Sequence, residues 1–225
     1  VLRGQEGRHA TTVRRLAPGE LACLTDGAGR VAECVVAATR PGELELSVLS
    51  VTTEPPPQPS VTVVQAIPKG ERGELAVELL TEVGADTIVP WAAERCVAVW
   101  RRDRAARSQA RWQSAAVQAA KQSRRAWFPV VPPQEDLAGV TGRVSAAALA
   151  VLLDPQAARR VADLEIPGAG EVVLIVGPEG GITAAEEEAL AGAGAVSARL
   201  GPTVLRASSA GVVAAGLVLA RSGRW

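Results

Sequence analysis

The 225-residue sequence contains no methionine, no tyrosine, one phenylalanine and one histidine. Methionine is missing even at position 1, so the chain is expected to lack its natural start. Three cysteines occur, Cys23, Cys34 and Cys96, and none forms a CxxC pair. An odd, scattered set argues against a disulfide scaffold or a thiolate zinc site and fits reduced thiols in a cytoplasm. With His9 as the lone histidine, neither metal catalysis nor a hydrolase triad is expected. No apolar run reaches the roughly 18 residues that cross a bilayer, and no signal-peptide pattern opens the chain. Residues 1–54 contain no Phe, Trp or Tyr. An aromatic platform for stacking single-stranded RNA is therefore excluded there.

What is present is globular: 48% hydrophobic and 21% charged residues, with 24 basic and 24 acidic side chains. Zero net charge hides a segregated distribution. Residues 1–40 sum to +2, residues 41–94 to −7, residues 95–125 to +8 and residues 126–225 to −3. The dense segment holds Arg95, Arg101, Arg102, Arg104, Arg107, Arg111, Lys121, Arg124 and Arg125 against Asp103 alone. Screening confines such charges to local action, so a neutral molecule can still carry a phosphate-binding surface. A solvated helix face and an RNA surface are both compatible with this segment.

The run Glu54-Pro-Pro-Pro-Gln-Pro-Ser60 divides the chain, because proline removes backbone donors and stiffens it. This gives a small β domain over 1–54, a linker over 55–60 and a larger α/β domain over 61–225. In the first, strands are expected near 20–24, 30–38 and 43–51, with turns at Asp26–Gly29 and Pro41–Gly42. Beyond the linker, strands at Val61–Ile67, Thr87–Pro90, Ala147–Leu153, Glu171–Val176 and Val196–Leu200 alternate with helices. Those helices are placed at Glu71–Val83 (apolar face Leu75, Leu79, Leu80), about Ala105–Ser123, 184–193 and 206–221. Such alternation predicts a parallel sheet covered on both faces.

Ligands of such sheets bind beyond the carboxyl ends of the strands. Three strand ends carry distinctive loops: Leu152-Leu153-Asp154-Pro155, Val176-Gly177-Pro178-Glu179-Gly180-Gly181-Ile182 and Leu200-Gly201-Pro202-Thr203-Val204-Leu205-Arg206. Glycine permits close backbone approach and proline fixes the turn, so the loops are expected to share one pocket. Thr183-Ala-Ala-Glu186 fits a capping box and is read as a helix start. No P-loop occurs. Gly168-Ala-Gly170 and Gly192-Ala-Gly194 have Val173 and Ser197 where a dinucleotide fingerprint needs glycine.

The second and third loops together resemble the RsmE family, the bacterial 16S ribosomal RNA uridine-N3 methyltransferases of the knotted SPOUT class. Gly7-Arg8-His9-Ala10-Thr11-Thr12-Val13-Arg14-Arg15, Pro68-Lys69-Gly70, Thr81-Glu82-Val83-Gly84-Ala85 and Gln118-Ala119-Ala120-Lys121-Gln122-Ser123-Arg124-Arg125 agree in order and spacing. The resemblance implies a PUA-like β-barrel followed by an α/β domain with a deep trefoil knot. It implies a homodimer acting on 16S rRNA of the small ribosomal subunit, with neither membrane nor metal. It places S-adenosylmethionine at Leu153, Asp154, Val176, Gly177, Pro178, Glu179, Gly180, Leu200, Gly201, Pro202, Val204, Leu205 and Arg206. RNA would be held by Arg8, Arg14, Arg15, Lys69, Gln118, Lys121, Gln122, Arg124 and Arg125. Ser208 stands where the family often has a glutamate, so no catalytic carboxylate is expected there.

Uridine N3 is a poor nucleophile until its proton leaves, and a nearby cation favours the anion. Arg206 is the candidate catalytic residue; Glu179 is either a proton acceptor or, preferably, a loop-ordering group. Two alternatives stay open, a knotted methyltransferase for another RNA base and a non-catalytic RNA-binding assembly factor.

Overall fold

The computed structural model describes residues 1–70, 72–100 and 103–225. Glu71, at the expected start of a helix, and Arg101, Arg102 and the side chain of Arg104, in the basic segment, lie outside the described residues. Two compact units emerge, Val1–Pro56 and Pro57–Trp225.

In the first unit, β1 (Leu21–Thr25), β2 (Arg30–Arg40) and β3 (Glu43–Thr53) form an antiparallel sheet in the order β1-β2-β3. The β1–β2 turn closes on Asp26, whose Oδ1 accepts the backbone N–H groups of Ala28 (2.8 Å) and Arg30 (3.1 Å). The expected barrel is observed as this three-stranded sheet, to which Leu2 adds a single bridge opposite Leu44. A helix absent from the sequence expectation precedes it: α1 (Gly4–Arg8) runs on as a π-helical turn over His9–Val13. Gly7 makes this packing possible, since a Cβ there would lie 2.5 Å from the Gly42 carbonyl oxygen. Ala10, Val36 and Leu44 form the small core beneath.

The second unit is a five-stranded, all-parallel sheet. Its strands are β4 (Ser60–Ala66), β5 (Thr87–Trp91), β6 (Leu149–Leu153), β7 (Glu171–Val176) and β8 (Val196–Ala198), in the order β5-β4-β7-β6-β8. β4 and β7 are central and nearly continuous in buried residues, as strands covered on both faces must be. On one face Val61 and Val63 meet α2 (Arg72–Val83), α3 (Asp103–Gln122) and α6 (Ala207–Arg221). On the other, Val64 and Ala66 share a core with α4 (Leu137–Ala146) and α5 (Ala184–Gly192). α4 has no counterpart in the sequence expectation; Asp136 caps it by accepting from Gly139 N at 3.0 Å.

The apolar face of α2 differs from the expected one. Gly73, Ala76, Val77, Leu80 and Thr81 are buried, while Leu75 is exposed and Leu79 half-buried. The cause is α3, whose Trp112 packs directly over Gly73: a Cβ at Gly73 would sit 2.8 Å from the indole. Trp112 also meets Trp100 edge-to-face at 5.0 Å, a favoured aromatic geometry. α6 approaches the sheet through Gly211, where a Cβ would lie 3.2 Å from both Val63 and Val176 side chains.

Candidate functional site

β7, β6 and β8 are neighbours, so the three loops leave one edge of the sheet side by side. The chain that follows β6 is tied by backbone bonds to the end of β8, just ahead of the third loop. Asp154 N donates to Ala198 O (3.1 Å), Arg199 N to Arg159 O (2.9 Å) and Val161 N to Arg199 O (2.9 Å). The Arg199 guanidinium, at the end of β8, donates to the carbonyls of Ala157 and Ala158, bracing the segment that follows the first loop. Leu153 and Asp154 are half-buried, and Asp154 Oδ1 accepts from Gln156 N at 2.8 Å.

The second loop leaves β7 at Val176, which is buried, and turns at Pro178, whose carbonyl accepts from Gly181 N at 2.9 Å. Gly181 has φ +75°, a conformation that favours glycine. Gly177 is bare backbone by necessity, because a Cβ would lie 2.7 Å from Ile182. Pro178 is buried, whereas Glu179 and Gly180 are exposed. The capping box is present: Thr183 Oγ1 accepts from Glu186 N (3.3 Å) and Glu186 Oε2 from Thr183 N (2.9 Å).

In the third loop Leu200, Gly201 and Leu205 are half-buried and Pro202, Val204 and Arg206 exposed. Arg206 is the N-cap of α6 and makes no side-chain capping bond. Its carbonyl accepts from Ser209 N and Ala210 N, both at 2.9 Å. Ser208 is buried in the first turn of α6. At the carboxyl end of β4, the fully buried Gln65 donates to Ala66 O, while its Oε1 has no partner among the described residues.

Two contributors were not singled out from sequence. Arg95 Nη1 donates to Gly180 O at 3.2 Å, and Glu94 N donates to Glu186 Oε1 at 2.8 Å. Both pairings are long-range, and no local pattern announces them. Beside them, burial pushes the half-buried Cys96 thiol up, and the charges of Glu179 and Glu186 add to this.

The candidate RNA residues fall in several places. Arg8, Arg14 and Arg15 are exposed in the first unit. In the second unit Lys69 follows β4 and lines an open groove with Arg72, Glu74, Leu75 and Glu78. Gln118, Lys121, Gln122 and Arg124 are exposed at the end of α3, in continuation of Arg107 and Arg111. Arg125 departs from the expectation. Its guanidinium is held inward by Thr81 O (2.9 Å), Ala85 O (2.6 Å) and Asp86 Oδ1 (3.2 Å). Asp86 also receives Arg224 at 2.6 Å and Val61 N at 2.8 Å. Burial lowers the Arg125 pKa while Asp86 opposes the shift. A guanidinium so engaged is an internal strut and is not available to phosphate. Among the described residues there is no cluster of metal-binding side chains and no helix long and apolar enough to cross a membrane.

Known proteins share this arrangement. The family profile for an RNA methyltransferase domain matches residues 54–219, and that for an RNA methyltransferase PUA domain matches residues 2–49. A Mycobacterium bovis protein named ribosomal RNA small subunit methyltransferase E is 48% identical over 229 aligned positions, covering 100% of this chain and 87% of its own. The chain belongs to the ribosomal RNA small subunit methyltransferase E family. A Bacillus subtilis protein of that name is 26% identical over 92% of this chain and 84% of its own. Among solved structures, a member of the same name from Neisseria gonorrhoeae, bound to S-adenosyl methionine, is similar with a TM-score of 0.86 and 28% identity, over 97% of this chain and 90% of that one. A Legionella pneumophila methyltransferase with bound SAM gives a TM-score of 0.86 at 27% identity, over 97% and 90%. The small subunit methyltransferase E family thus accounts for both units of this chain, the PUA domain and the parallel α/β domain.

Proposed function

We propose that this chain transfers a methyl group from S-adenosylmethionine to N3 of a uridine in small-subunit ribosomal RNA. The observation that carries the reading is the meeting of three backbone-rich loops at adjacent strand ends, with the uncapped start of α6 and Arg206 in the third loop. These loops fit the cofactor. They offer bare backbone, as at Gly177, and apolar walls, as at Leu153, Leu200 and Leu205, which suits a nucleoside held by main-chain groups. Leu153, Asp154, Val176–Gly180, Leu200–Pro202 and Val204–Arg206 would hold it. When bound, the cofactor supplies an electrophilic methyl on a sulfonium.

The chain's own residues have two tasks, positioning and charge. Arg206 has no side-chain ion pair or hydrogen bond among the described residues, so its guanidinium is available to a substrate. Placed beside uracil, it favours the N3 anion over the neutral base, and the positive end of the α6 dipole acts in the same sense. Glu179 is exposed and makes no side-chain hydrogen bond among the described residues; the Gly181 N to Pro178 O bond closes the turn instead. The target base has to leave its stack, at a cost of a few kcal/mol. Phosphate contacts by Arg8, Arg14, Arg15, Lys69, Gln118, Lys121, Gln122 and Arg124 offset that cost. The reading includes a trefoil knot in the second unit, in keeping with the family to which the chain belongs. It also includes a homodimer in the cytoplasm, with domains at 1–54 and 61–225 joined by the proline-rich linker.

The test is methyl transfer from labelled cofactor to unmodified small ribosomal subunits, by wild type and Arg206→Ala. Loss of one preorganised charge predicts a turnover fall of about a hundredfold or more, with a much smaller change in cofactor affinity. Unchanged turnover in Arg206→Ala refutes the role given to it.

A further inference from the structure

The segment 92–97 that follows β5 stands against the second loop and touches it at two points. Arg95 donates to Gly180 O at the loop's tip. Glu94 N donates to Glu186 Oε1, and Glu186 is almost fully buried at 4% exposure. The other oxygen of Glu186 accepts from both Thr183 N (2.9 Å) and Thr183 Oγ1 (3.0 Å). One buried carboxylate therefore fastens the helix end of the loop to the segment, while a guanidinium fastens its tip. The fit is close. A Cβ on Gly180 would lie 3.2 Å from Arg95 Cβ and 3.3 Å from its carbonyl oxygen.

The segment can act as a wall because it is itself anchored. Ala92 N donates to Glu135 O (2.9 Å), and Cys96 N to Ala93 O (3.0 Å). Cys96 packs against both cores of the sheet. The loop, in contrast, has one internal turn bond and two consecutive glycines, Gly180 and Gly181, at its tip. Such backbone loses much conformational freedom when fixed. Fixing it before a ligand arrives removes that cost from binding.

We propose that Arg95 and Glu186 are positioning residues that hold the Gly177–Gly181 loop in its cofactor-ready form. This rests on the reading of that loop as a cofactor site. Arg95 acts through the Gly180 carbonyl, and its contribution is to cofactor affinity. It therefore differs from the neighbouring arginines of the basic segment, whose effect would be on RNA.

The experiment is calorimetric titration of S-adenosylmethionine into wild type, Arg95→Ala and Arg95→Lys, with RNA affinity measured over a salt series in parallel. Arg95 is exposed, so its variants are expected to keep the wild-type melting temperature. Arg95→Ala should raise the cofactor Kd about five- to tenfold, the scale of one ordinary, solvent-exposed hydrogen bond. Arg95→Lys, which keeps a charged donor, should recover most of that loss, and the salt slope of RNA binding should stay constant. A cofactor Kd unchanged in Arg95→Ala overturns the proposal; an accompanying fall in the salt slope would make Arg95 a phosphate contact. Wild-type protein that fails to bind the cofactor at all would overturn the function proposed above together with this inference, so the two failures are told apart.

Discussion

Replacing Arg125 with alanine separates a buried strut from an RNA contact, and the structure sets the size of the effect. The side chains of Arg125 and Asp86 are only 12% and 14% exposed. The change removes bonds to Thr81 O, Ala85 O and Asp86. Thr81 O keeps Gly84 N, and Asp86 keeps Arg224 and Val61 N. Ala85 O is the acceptor left most exposed to loss. Breaking a buried ion pair costs about 3–5 kcal/mol when the partner is stranded; because Asp86 remains paired, about 3 kcal/mol is expected. For a domain of this size that lowers Tm by about 6–12 °C. Asp86→Ala leaves both guanidinium groups with carbonyl acceptors but no carboxylate, and should cost more. Scanning calorimetry measures both variants, and a salt series measures RNA affinity in parallel. A wild-type Tm for Arg125→Ala, together with a salt slope smaller by about one, would show that Arg125 faces phosphate and refute the assignment.

Other outcomes follow from the packing. Gly211→Val should destabilise by about 1–3 kcal/mol through overpacking, since its Cβ meets Val63 and Val176, and should lower methyl transfer by lifting the start of α6; denaturant unfolding and turnover check both. Burial pushes the Cys34 and Cys96 thiols up, whereas Cys23 is exposed, so a thiol reagent at neutral pH should modify Cys23 rapidly, half-buried Cys96 slowly and Cys34 only on unfolding. Three fast thiols in the native protein would contradict this. The Asp26 carboxyl is held below the ordinary aspartate value, chiefly by the Ala28 N–H. Its stabilisation of the β1–β2 turn is complete above the unfolded-state pKa and is lost as pH falls through the lowered one. A carboxyl titration by NMR should show the depressed midpoint, and one at the ordinary value would contradict it.

Features specified locally were legible in the sequence. The β4 and β7 runs announce buried parallel strands, and the Thr183–Glu186 box announces α5, because each depends on residues a few positions apart. α4 was not legible. It carries Gly139 and Gly142, and its helical state rests on Val140 and Val144 packing into the core rather than on propensity. The buried face of α2 was misassigned because the tryptophan that selects Gly73 over Leu75 lies on another helix. The loops of the candidate site were visible as motifs, yet their supports were not. Glu186 meets Glu94 across 92 positions, and Asp86 meets Arg224 across 138. Nothing in a neighbouring residue distinguishes Arg125, turned inward on Asp86, from the exposed Arg124 beside it.

N3 methylation of a uridine in small-subunit ribosomal RNA is the proposed activity on which the roles of Arg206 and the three loops depend. Its most direct test is to incubate the protein with isotopically labelled S-adenosylmethionine and small ribosomal subunits lacking the modification, then digest the RNA and identify the labelled nucleoside by mass spectrometry. A single labelled product, N3-methyluridine, is expected; a labelled nucleoside of any other kind, or none, would contradict the proposed activity.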